Sequence, residues 1–108
     1  MGLDQYIEIK DRETGEWEEY QYYRKFNELQ GWFEDNHNQQ NCGVTEMTVD
    51  VIDALLEDIS NDKLTITEGF FYGNYKATKE DLDRLSEILL ELRDLVEDNE
   101  EVRYTCWY

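Results

Sequence analysis

The chain has 108 residues, 40% of them apolar and 14% aromatic, enough for one hydrophobic core and too few for two. Asp and Glu number 27 against 10 Lys and Arg, a formal net charge of −17. Such a balance repels nucleic acid and anionic membrane and attracts basic surfaces, while the aromatic content excludes the acidic disordered class.

In chain order, Leu3, Ile7 and Ile9 alternate with Asp4, Tyr6 and Glu8, the period of a half-buried strand. DRETG (11–15) reads as a turn and EWEEYQYY (16–23) as a returning strand rich in Trp and Tyr. From about Tyr23 the spacing becomes helical, with Phe26, Leu29 and Phe33 on one side, although Gly31 weakens that helix by about 1 kcal/mol relative to Ala. NHNQQNCG (36–43) is a polar loop, followed by a short extended piece up to Met47. Thr48 is placed to cap a second helix with Ile52, Leu55, Leu56 and Ile59 on its apolar face, closed by SNDK. ITEGFFYGNY (66–75) suits a short strand or a tight loop. Thr78 and Asp81 have capping-box spacing ahead of a long helix that runs to about Asp98, and VRYTCWY (102–108) has strand composition. One α+β domain over 1–108 is expected: a small antiparallel sheet packed against about three helices.

The long helix carries the most distinctive pattern. At 100° per residue, Leu82, Leu85, Leu89, Leu92 and Val96 share one side, while Glu80, Asp83, Glu87, Glu91, Asp94 and Asp98 fall roughly opposite. Like charges at these spacings repel by about 0.2–0.5 kcal/mol per pair. The second helix repeats the theme with Asp50, Asp53 and Glu57. Duplex DNA carries about one charge per 1.7 Å of axis, so one helix alone reaches about a third of its density. DNA-like charge therefore requires both helices on one face, joined by the first hairpin's Asp11, Glu13, Glu16, Glu18 and Glu19. These nine helix acids are the candidate partner-binding residues, against the simpler reading of a solvated acidic surface.

Signals for chemistry are sparse. His37 stands alone in the polar loop, no His/Cys cluster has metal-ligand spacing, and GFFYG is not a phosphate loop. No catalytic residue, metal or cofactor is expected. YYRKF (22–26) is too short a basic patch for direct nucleic-acid binding, and Arg24 and Lys25 are expected to make internal salt bridges. Cys42 and Cys106 read as free thiols. Trp17, Tyr20, Tyr22, Trp32, Phe33, Phe70, Phe71 and Trp107 are expected mostly in the core, with Tyr72, Tyr75 and Tyr108 open, and the Tyr104–Tyr108 end a candidate contact or homodimer seam. MGLDQYIEIK has charges where a signal peptide needs an apolar run, and no stretch has the ~18 apolar residues of a membrane span, so a cytoplasmic protein is expected.

MGLDQY, YYRKFNELQGWF, the NCG loop, GFFYG and the closing YTCWY, in that order, resemble a family of small proteins encoded by bacteriophages and prophages. The resemblance covers nearly the whole chain; Tyr23 stands where members usually have Trp. It implies a phage origin, with Trp32, Phe33, Cys42, Gly69 to Gly73 and Trp107 as shared fold determinants and no catalytic residue to carry over. The functional expectation is a phage-encoded, non-enzymatic inhibitor acting in the host cytoplasm. It would mimic DNA on the basic channel of a host-defence nucleic-acid enzyme, a CRISPR effector or restriction-type nuclease. The alternative is an inhibitor or adaptor that binds through aromatic and loop surfaces, with the charge serving only solubility.

Overall fold

A computed structural model describes residues 2–64 and 77–108. The elements are β1 (Asp4–Lys10), β2 (Trp17–Arg24), α1 (Asn27–His37), β3 (Val44–Glu46), α2 (Val49–Ser60), α3 (Lys79–Glu97) and β4 (Val102–Trp107). The strands form one antiparallel sheet of order β2-β1-β4-β3, an α+β architecture as expected. ITEGFFYGNY, and with it Phe70, Phe71, Tyr72 and Tyr75, lies outside the described residues.

Strand parity decides which side chains enter the core. Leu3, Gln5 and Ile7 from the first strand region, with Val102, Tyr104 and Cys106 of β4, point to the helix-covered face. There they meet Leu29, Trp32 and Phe33 of α1, Ile52 and Leu55 of α2, and Leu85, Leu89 and Leu92 of α3. Phe33 stacks on Tyr104 with ring centroids 3.9 Å apart and planes within 5°. A fully buried polar network runs through this apolar layer. Gln5 Nε2 donates to the Phe26 carbonyl and to the Tyr104 hydroxyl, both at 2.9 Å, and Tyr104 donates to Gln30 Oε1 at 2.5 Å. Gln5 Oε1 accepts from the Phe26 amide at 2.8 Å.

That last bond accounts for the start of α1. Helical spacing begins near Tyr23, yet β2 continues to Arg24 and the helix starts at Asn27. Lys25 takes a positive φ of 57°, and the Gln5 side chain pins the non-helical Phe26 backbone. The strand pairing with β1 therefore overrides the apolar period. Helix α1 also runs on through His37 into the stretch expected to be loop, closing on Asn38 in the left-handed region. Both expected N-caps form. The Thr48 hydroxyl accepts from the Val51 amide at 3.3 Å. Thr78 and Asp81 make the reciprocal box, at 3.1 and 2.9 Å.

Three expectations need correction. Tyr22 and Trp107 are 40% and 64% exposed rather than core, because both alternate onto the sheet face opposite the helices. Trp17 is only half-buried, on the same face, with the Arg103 guanidinium 4.1 Å over its ring. Arg24 and Lys25 make no salt bridge among the described residues; Asp4, the register partner of Arg24, instead accepts from the Tyr22 hydroxyl at 2.5 Å.

Candidate functional site

Helices α2 and α3 pack side by side on the same face of the sheet, and two contacts fix them as antiparallel. Near one end Arg93 of α3 holds Asp53 of α2, Nε to Oδ1 at 2.6 Å. Near the other, Ile59 and Ser60 border the same depression as Leu82, Asp83 and Ser86. Leu85, Leu89 and Leu92 of α3 and Ile52 and Leu55 of α2 turn inward, so the polar faces of both helices point away from the sheet together, with Leu90, 54% exposed, an apolar interruption on the α3 side.

All nine candidate acids are exposed. On α3, Glu80, Asp83, Glu87, Asp94 and Asp98 stand opposite the buried Leu85–Leu89–Leu92 stripe, while Glu91 leans toward the sheet and accepts from the Tyr20 hydroxyl at 2.9 Å. On α2, Asp50 and Glu57 face out and Asp53 faces α3. Internal partners divide the set. Asp53 is held by Arg93, Glu80 by Arg84 at 3.7 Å, and Glu91 by Tyr20. Asp50, Glu57, Asp83, Glu87, Asp94 and Asp98 have no side-chain bond or salt bridge among the described residues. The hydrogen bond from Arg93 holds the Asp53 carboxyl below the usual carboxylate range, and Asp53 in turn raises Arg93. Burial, then the bond to Glu91, raises the Tyr20 phenol.

The two helices carry eleven acids and three bases. At 1.5 Å per residue α3 is about 28 Å long, over which duplex DNA presents about 16 charges. The six outward carboxylates without a side-chain partner, four from the α3 region and two from α2, give roughly 40% of that density. Sharing one face thus lifts the pair above what the long helix reaches alone. Asp50 and Glu80 lie in first turns, where the dipole favours them, but the acids at the C-terminal ends oppose helix stability. Neither helix has a base in its last turn, where Glu57 and Asp58 or Asp94 and Glu97 sit against the negative end of the dipole.

The hairpin contributes only partly. Arg12 pairs with Glu100 at 3.1 Å and donates to the Asp98 carbonyl, and Lys10 pairs with Glu101 at 3.5 Å, so the turn lies against the C-terminal end of α3. Asp11 is committed to the turn, accepting from the amides of Glu13 and Thr14. Glu19 opposes Glu8 on the other face of the sheet and does not join the helix acids.

Sequence reasoning missed two internal roles. Asp58 is not part of the outer row: it accepts from Trp32 Nε1 at 2.8 Å and ties α2 to α1. The Gln5–Tyr104–Gln30 network was hidden because nothing in the local pattern marks a buried glutamine. A mixed-charge groove of about 1000 Å³ lies between β2 and α3, bordered by Tyr23, Arg24, Arg84, Glu87 and Glu91. Among the described residues, no group of three or more His, Cys, Asp or Glu is arranged to hold a metal ion, and no helix is long and apolar enough to cross a membrane. Both cysteines are free, Cys42 exposed and Cys106 buried. Compared with protein-family models, with curated proteins and with solved structures, the chain matches none.

Proposed function

We propose that this chain is a phage-encoded, non-enzymatic inhibitor whose acidic α2–α3 face occupies the Lys/Arg-rich nucleic-acid channel of a host-defence enzyme. A CRISPR effector or a restriction-type nuclease has such a channel, and the host cytoplasm is where the two would meet. The observation that carries this reading is the row of six carboxylates, Asp50, Glu57, Asp83, Glu87, Asp94 and Asp98, exposed on one two-helix face with no salt bridge or side-chain hydrogen bond among the described residues. The phage origin rests on the sequence resemblance. Carboxylates such as Glu57 and Asp94, set against the negative end of a helix dipole, are accounted for by a cationic partner outside the protein.

The test is a tagged pull-down from host lysate at low salt, eluted with a salt gradient. A nucleic-acid enzyme released at moderate salt and displaced by competing duplex DNA supports the reading. Replacing Asp83, Glu87 and Asp94 together by Lys should then weaken binding many-fold, because each reversal sets like charge against the basic channel. A partner whose affinity is unchanged between low and high salt would refute it. The second reading, binding through the aromatic sheet face with the charge serving solubility, is favoured by the exposure of Tyr22 and Trp107. It expects the triple reversal to leave affinity unaltered.

A further inference from the structure

The helices cover one face of the sheet; among the described residues nothing covers the other, and the strand register specifies its content. Residues directly opposite in an antiparallel pair project to the same side. Reading across β2-β1-β4-β3, the open face is therefore built in rows. Arg24, Asp4 and Trp107 form the first, and Tyr22, Tyr6, Thr105 and Val44 the second. Glu19, Glu8, Arg103 and Glu46 form the third, and Trp17 with Lys10 the fourth.

Two properties separate this face from the rest of the molecule. Its second row is uncharged across all four strands, with Tyr22 and Val44 40% and 58% exposed and the Tyr6 and Tyr22 rings 5.3 Å apart. Its charges nearly cancel, four acids against three bases, in a chain whose net charge is −17. An apolar stripe on a nearly neutral face, backed by a strongly acidic one, can approach a like molecule with both acidic faces turned outward.

We propose that the open sheet face is a self-association surface, and that its occupant is a second copy of this chain packed face to face. Sheets pack with strand directions within about 30° and about 10 Å apart, and a two-fold interface is self-complementary. A two-fold axis along the Tyr22–Tyr6–Thr105–Val44 row stacks that row on itself. It also sets Arg24 of one copy over Glu19 of the other, and Trp107 over Arg103, which is a cation–π pairing. Asp4 falls over Glu8, and each already has an internal partner, Tyr22 at 2.5 Å and Arg103 at 2.7 Å. Strands about 4.8 Å apart, of eight, seven, six and three residues, offer about 400 Å² per copy, so about 800 Å² in all, below the ~1,000 Å² expected of a stable interface. The dimer is accordingly weak and concentration-dependent. It is strengthened by salt, which screens the repulsion of two acidic chains.

This inference stands on the sheet face alone and does not depend on the acidic face binding a basic channel. Sedimentation equilibrium of the full chain tests it at protein concentrations from about 10 µM to about 1 mM, in low and in roughly 0.5 M NaCl. The expected result is a mass that rises from 13.1 kDa toward twice that value, more completely at high salt. Arg24→Glu should weaken association about tenfold or more, and combining it with Glu19→Arg should restore it, which a merely misfolded variant cannot do. Tyr22→Lys should abolish it while the circular dichroism stays native. A chain that remains monomeric throughout overturns the proposal, as does a dimer indifferent to Arg24→Glu or Tyr22→Lys. A monomer whose binding to a different protein is lost in Tyr22→Lys would assign the face to that protein and likewise overturn it.

Discussion

Replacing Asp94 by Lys should make the folded protein more stable, although it removes one of the proposed contact residues. Asp94 is exposed in the last turn of α3 and has no side-chain bond among the described residues. Glu91, Glu97 and Asp98 lie three before, three after and four after it, the spacings at which charges meet on a helix surface. Each like-charge pair costs about 0.2–0.5 kcal/mol and becomes favourable by a similar amount on reversal. A cation there also complements the negative end of the helix, worth about 0.3–1 kcal/mol. Discounting for solvent screening at exposed sites, and for the attraction between Asp94 and the neighbouring Arg93 that reversal removes, leaves about 1–2 kcal/mol of added stability. With an unfolding entropy of about 2.1 cal/mol/K per residue, that raises Tm by roughly 4–8 °C. Thermal melts by circular dichroism should show this gain in low salt and show it shrink in about 1 M NaCl, where the Debye length is about 3 Å. A variant less stable than the parent, or a gain that survives high salt undiminished, would refute the reasoning. The same variant should bind a basic partner more weakly, so stability and binding should move in opposite directions.

Other expectations follow from single contacts. Tyr104→Phe removes the donor to Gln30 Oε1 and the acceptor of a Gln5 N–H inside the core, and denaturant unfolding should show a loss of about 1–3 kcal/mol. Thr78→Ala removes the N-cap of α3 and one half of its capping box, a loss of about 1 kcal/mol that Thr78→Ser should largely avoid in the same assay. With a thiol reagent at neutral pH, Cys42 should react in the native protein and Cys106 only on unfolding, since burial hides the Cys106 thiol and pushes its pKa up. Burial pushes the Tyr23 phenol up to about 12, against about 10 when unfolded. Folding thus favours the neutral phenol, so its contribution is complete below about pH 10 and is lost as pH rises toward about 12. Urea unfolding across that window should show falling stability, and less of a fall in Tyr23→Phe.

How far the sequence carries depends on the range of the interactions. The α3 helix and both threonine caps were legible because each signal lies within a few residues: an apolar stripe, a hydroxyl, a carboxylate three positions on. The start of α1 was not, because the decisive group is Gln5, twenty-one residues before Phe26 in sequence and beside it in space. For the same reason Asp58 reads as one more surface acid until Trp32 is seen to donate to it. The outward direction of seven of the nine acids follows from helical period, Asp53 and Glu91 being turned aside by Arg93 and Tyr20, but whether two helices aim them the same way depends on the antiparallel packing that Arg93 and Asp53 help to fix. Residue type alone places Trp17, Tyr22 and Trp107 inward, and strand register puts them outward. Residue type reports how much apolar surface there is to bury; only register reports on which side it lies.

Segregation of charge between the two faces makes the two proposals separable by one variable. Ionic strength weakens any complex that rests on the carboxylate row, because screening acts on attraction between the acids and a basic channel. It strengthens association through the sheet face, because there the same screening removes the repulsion between chains of −17. The two helices carry eleven acids against three bases and the opposite face four against three, with twelve acids and four bases elsewhere in the chain. Solubility depends on the net value, and an even distribution would supply it with less like-charge strain along α3. The helix surplus is what the proposed cationic partner would use, and the nearly neutral aromatic face is the side on which a second, apolar contact meets the least repulsion.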